Sequence, residues 1–85
     1  MPVLFFHFHD GVELLHDPEG AELTHAQARV RALREARALI AHDVLEGIID
    51  LGQRIEVEKA DGTLFQTLLF RDAVEIRGLS QSPDF

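Results

Sequence analysis

Apolar residues alternate with a second set through the first seventeen positions, the period of a β-strand. In Leu4-Phe5-Phe6-His7-Phe8-His9-Asp10-Gly11-Val12-Glu13-Leu14-Leu15-His16, the Asp10-Gly11 pair marks a two-residue hairpin turn. That turn sets Phe8 opposite Glu13, His7 opposite Leu14, Phe6 opposite Leu15 and Phe5 opposite His16. Leu4, Phe6, Phe8 and Leu15 then share one face, which reads as core. Phe5, His7, His9, Val12, Leu14 and His16 share the other.

Asp17-Pro18-Glu19-Gly20 has the residue preferences of a type I turn and leads towards a helix. Thr24 with Gln27 forms a capping-box pattern, and Leu23 with Ala28 forms a hydrophobic staple. The helix is predicted from about His25 to Glu46, stopped by Gly47. Ala26, Val30, Leu33, Ile40, Val44 and Ile48 recur at three and four residues and make one apolar stripe, with Arg37 snorkelling from its edge.

Alternation returns after Gly52. Arg54–Glu58 reads as a strand, Asp61-Gly62 as a second two-residue turn and Leu64–Phe70 as the return strand. This register groups Ile55, Val57, Leu64, Leu68 and Phe70 on one face, and Glu56, Glu58, Phe65, Thr67 and Leu69 on the other. Residues 73–76 suit a short strand or one helical turn. The sequence therefore predicts a single α+β domain over residues 1–79. Its antiparallel sheet of two β-hairpins carries one long helix on the Phe6/Phe8 face, in the order ββαββ. Residues 80–85 are polar, contain a proline and are expected to fray.

Composition narrows the functional classes. The 85 residues contain no cysteine, so disulfides and thiolate zinc sites are excluded. No apolar run is long enough for a membrane span and no basic segment precedes a short apolar one, which points to a soluble cytoplasmic protein. The formal net charge of −7 disfavours a phosphate backbone as ligand. Arg29, Arg31, Arg34 and Arg37 are the local exception, expected to pair with the chain's own acids and with water.

Three constellations bear on chemistry. His7 and His9 lie about 6.6 Å apart on one strand face by the ~3.3 Å rise, close enough to share a divalent transition metal. His16 is a third candidate ligand across the hairpin; the bland alternative is that all three histidines simply pack. The N-terminal Pro2 offers a free amine as a general base after methionine removal, but no oxyanion partner accompanies it. Phe5, Val12, Leu14, Phe65 and Leu69 give the second sheet face more apolar surface than a small domain leaves bare. The leading expectation is a non-catalytic interaction module or homodimer using that face, with itself or another protein as partner. No nucleophile or phosphate-cradling loop supports an enzyme: Ser80 and Ser82 sit in the tail and the glycines are dispersed.

Met1-Pro2 with Phe5-Phe6-His7, Asp10-Gly11 and Asp17-x-Glu19-Gly20-x-Glu22-Leu23 resembles a family of short, mostly stand-alone proteobacterial proteins of unknown function. The likeness continues through Ala32-Leu33-Arg34-Glu35-Ala36-Arg37, Gly52-x-Arg54-Ile55-Glu56-Val57, Asp61-Gly62 and Phe70-Arg71-Asp72-Ala73-Val74. It implies a single domain and carries no activity or ligand. The hairpin, acidic loop and alanine- and glutamate-rich helix are also similar to HicB-type antitoxins, which would imply neutralisation of a partner protein. The Met1-Pro2 opening looks like the tautomerase superfamily, which would make Pro2 a catalytic base. Here, however, a hairpin and an acidic loop come between strand and helix, and no arginine follows the first strand.

Overall fold

The computed structural model describes residues 2–79; the tail expected to fray, residues 80–85, lies outside them. Five antiparallel strands and one helix make an α+β fold: β1 (Val3–His9), β2 (Leu14–Leu15), β3 (Ala21–Glu22), α1 (His25–Leu45), β4 (Arg54–Lys59) and β5 (Leu64–Leu69). The sheet runs β2-β1-β4-β5, and β3 pairs with β1 on the same edge as β2. A single 3₁₀ turn, Phe70–Asp72, follows β5, so residues 73–76 form neither the strand nor the helical turn the sequence allowed.

The first hairpin closes one residue later than its Asp10-Gly11 signal suggests. Asp10 Oδ1 accepts the amides of Val12 and Glu13 at 2.8 and 2.7 Å, and its own N–H donates to Glu13 O. Those bonds put Asp10 at the head of the turn and Gly11, with φ 100°, at the first central position. Phe8 consequently pairs with Leu15 and His9 with Leu14, two places from the expected register. An even shift keeps every side chain on its expected face.

The second hairpin departs differently. Gly62 N–H donates to Lys59 O and Lys59 N–H to Thr63 O, which closes a loop of three residues rather than two. A bulge at Phe65 absorbs the extra residue: Glu58 pairs with Leu64, and Val57 already pairs with Gln66. Beyond it, Ile55 meets Leu68 as expected. The two side chains next to the bulge exchange roles. Leu64 lies opposite Glu58 and is exposed, while Phe65 packs half-buried against the core with its ring 4.5 Å from that of His25 on α1.

Thr24 and Gln27 form the anticipated capping box, and Gly47 follows the C-cap with φ 82°. The buried face of α1 keeps only part of the expected stripe, Ile40 and the half-buried Leu33. Ala28, Ala32, Ala36 and Ile40 face the sheet, and Val30, Val44 and Ile48 are exposed. The sheet and the 3₁₀ turn supply the bulk: Leu4, Phe6, Ile55, Val57 and Phe70 fill the layer, and the ring of Phe70 stacks on Phe8. A helix that meets such a surface packs closest through its methyl side chains. Arg37 is exposed at the edge of the helix, as expected, and also donates from Nε to Ala73 O at 2.8 Å.

Candidate functional site

The outer edge of β1 is closed along its length by backbone and side-chain hydrogen bonds. β3 pairs with its start (Val3 with Glu22, Leu4 with Ala21) and β2 with its end. The middle is closed by a side chain. Asp17 Oδ2 accepts the Phe6 amide at 3.2 Å, and Oδ1 accepts those of Glu19 and Gly20 at 3.2 and 3.3 Å. Burial works against ionising Asp17, but these amides, with the nearby Arg31 guanidinium, outweigh it and hold the carboxyl below the ordinary aspartate range. Arg31 sits 4.3 Å over the Phe6 ring and pairs with Glu35 at 3.0 Å.

His7 belongs to this closure. Its Nδ1 accepts the Asp17 amide at 3.0 Å, which places the proton of the neutral ring on Nε2, 3.3 Å from Glu58 Oε1. The side chain is buried and locks the acidic loop to β4. His16 reaches it, ring to ring at 4.9 Å, but His9 turns away, its Nδ1 accepting the Gly11 amide at 3.0 Å. The structure thus brings together two of the three histidines proposed as metal ligands, and both nitrogens of His7 already face partners. Among the described residues no group of three or more His, Asp or Glu side chains is placed to hold a metal ion.

The five residues proposed for the second sheet face do not form one patch. Phe5 is half-buried beside Gly20, where a Cβ would lie 2.8 Å from its ring. Leu14 and Leu69 are half-buried on opposite edge strands, and Val12 projects from the turn tip, 86% exposed. Phe65 is on the helix side because of the bulge. Between Phe5 and Leu69 runs a polar row on β4: Glu58 beside His7, and Arg54 paired with Glu56 at 2.6 Å. The face is mixed, which weakens the reason for covering it.

Exposed aliphatic surface lies elsewhere, unforeseen because the sequence assigned it to the core. Val30, Val44, Leu45, Ile48 and Ile49 are all at least about half exposed along α1 and its exit, Leu45 at 87%. A hollow of about 640 Å³ on the N-terminal half of the helix is lined by Leu23, Ala26, Val30, Arg31 and Arg34 among others. A second, of about 330 Å³, collects Asp10, Asp43, Glu46 and Asp50 beyond the helix C-terminus. No helix among the described residues is long and apolar enough to cross a membrane.

A family model described as a domain of unknown function (DUF6894) matches residues 4–71. That span runs from the start of β1 to the 3₁₀ turn, and so includes both hairpins, the Asp17 closure and the whole helix. No curated protein and no solved structure shows significant similarity to the chain.

Proposed function

The chain belongs to the DUF6894 family, a domain of unknown function, and on that premise we propose that it is a non-catalytic protein-interaction module. The observation that carries the reading is the aliphatic surface along α1 and its exit. A chain of 85 residues has little apolar material to spare, yet Val44, Leu45, Ile48 and Ile49 are exposed within six positions. Exposed aliphatic side chains gathered this closely along a chain suit the docking of a partner. The docking surface is therefore assigned to the helical side, away from the polar row of β4.

Site-specific photo-cross-linking tests the assignment. A photoreactive residue at Val44 or Ile48 is expected to give discrete protein adducts in cells, whereas the same residue at Asp61, on the tip of the second hairpin, gives none. Discrete adducts from Leu14 with none from Val44 or Ile48 would return the docking surface to the second sheet face. No discrete adduct from any of these positions would overturn the reading.

A further inference from the structure

β5 ends the sheet, and among the described residues its outer side pairs with no strand. Its sequence, Leu64-Phe65-Gln66-Thr67-Leu68-Leu69, contains no charge and no proline. Natural edge strands are usually protected by a lysine, a proline, extreme shortness or a covering loop. The device that the described residues show at β5 is the bulge at Phe65, which leaves Gln66–Leu69 in regular pairing. The opposite edge of the same sheet shows what protection looks like, with β2, β3 and the Asp17 carboxylate laid against β1.

The helix carries apolar surface on that same open side. Val30 and Val44 are each seven residues from Arg37, so at 100° per residue they lie within about 20° of it around the helix. Arg37 bonds to Ala73, just past β5, whereas Arg31, on the other flank, lies over Phe6 of β1. Val44, exposed on the Arg37 flank, therefore lies towards the side on which the sheet is open, whereas Val30 lines the hollow beside Arg31.

We infer that a second copy of this chain pairs with β5, strand to strand and antiparallel, about a two-fold axis at Thr67. The proposal rests on the interaction-module reading and names its partner. In this register Thr67 faces Thr67 of the second copy and Gln66 faces Leu68. Each pair falls on one face of the continuous sheet, as the pleat requires. The axis stands perpendicular to the sheet, which puts both helices on the same side with their Arg37/Val44 flanks turned towards each other. The identical strand suits the site because it brings no charge to an edge that offers none, and a two-fold contact needs a patch that matches itself.

The chain has no cysteine, which makes disulfide trapping a clean test. Native mass spectrometry of the untagged protein is expected to show twice the 9.6 kDa chain mass. Under mild oxidation Thr67→Cys is expected to form a covalent dimer at least tenfold faster than Val12→Cys, placed at the distant turn tip. Leu64→Lys with Thr67→Lys, both at exposed positions, is expected to halve the native mass and leave the circular dichroism unchanged. A dimer that survives the lysine pair, or equal trapping rates for the two cysteines, would overturn the edge assignment. If the lysine variant unfolds, the trapping rates decide. A wild-type protein monomeric at about 1 mM would overturn self-pairing. Adducts of Val44 or Ile48 with a different protein would then leave the interaction-module reading standing.

Discussion

The two edges of the sheet are built on opposite principles. At β1 almost every outward group has a partner: two short strands cover the ends, and Asp17 fills the gap with its carboxylate. At β5 there is a six-residue strand without charge, whose outer side pairs with no strand among the described residues. A chain can close an edge with one well-placed acid, and this one does so at great local density. Among the described residues the other edge pairs with no strand, and Val44 is exposed on the helix flank that bonds just past β5. The contrast is the physical basis for assigning assembly to β5 and structural integrity to β1.

The comparison breaks most severely at Asp17. Asp17→Ala removes the acceptor of three backbone amides, including that of Phe6, and urea denaturation should show a loss of about 3 kcal/mol. Asp17→Asn keeps one carbonyl acceptor and should cost less. The pH dependence has a definite sign. Because the folded pKa of Asp17 is lowered, its contribution is fully present above the ordinary aspartate pKa and is lost as pH falls through the depressed folded value. Wild-type stability should therefore fall more steeply below about pH 4 than that of Asp17→Asn.

Gly20→Ala comes next in size. Gly20 has φ 70°, and an added Cβ would stand 2.8 Å from the Phe5 ring and 2.9 Å from Val3 Cγ1. A loss of about 2 kcal/mol is expected, read from the denaturation midpoint, with the native mass unaffected. Thr67→Lys reverses that pattern. At an exposed position it should change monomer stability by less than about 0.5 kcal/mol, while measurably weakening association. The smallest effect is that of salt. Two chains of net charge −7 repel, so raising ionic strength should tighten the dimer several-fold in sedimentation equilibrium.

Much of this fold is legible in the sequence where the signal is local. The capping box at Thr24 and Gln27, the stop at Gly47 and both turn regions can be read from a few adjacent residues. The faces of β1 and β2 follow from alternation, and they survive a misplaced turn because the register moves by two. What was not legible depends on volume and on chain ends meeting in space. Hydrophobicity rightly places Leu33 and Ile40 against the core but also favours Val30 and Val44, whereas packing against large side chains of the sheet and the 3₁₀ turn selects Ala28, Ala32 and Ala36. The bulge at Phe65 follows from a three-residue loop that the Asp61-Gly62 pair does not reveal. For the candidate site, the histidines were visible as a pattern. Their engagement with the Asp17 and Gly11 amides was not, because a backbone partner leaves no mark on residue type.

Native-state hydrogen exchange, followed residue by residue at two protein concentrations about a hundredfold apart, tests the contrast between the edges most directly. The Phe6 amide should be protected to the same degree at both concentrations, because Asp17 of the same chain holds it. Amides on the outer side of Gln66–Leu69 should exchange freely in the dilute sample and become protected in the concentrated one. Concentration-independent exchange along β5, or a Phe6 amide that exchanges as freely as a solvent-exposed one, would contradict the account.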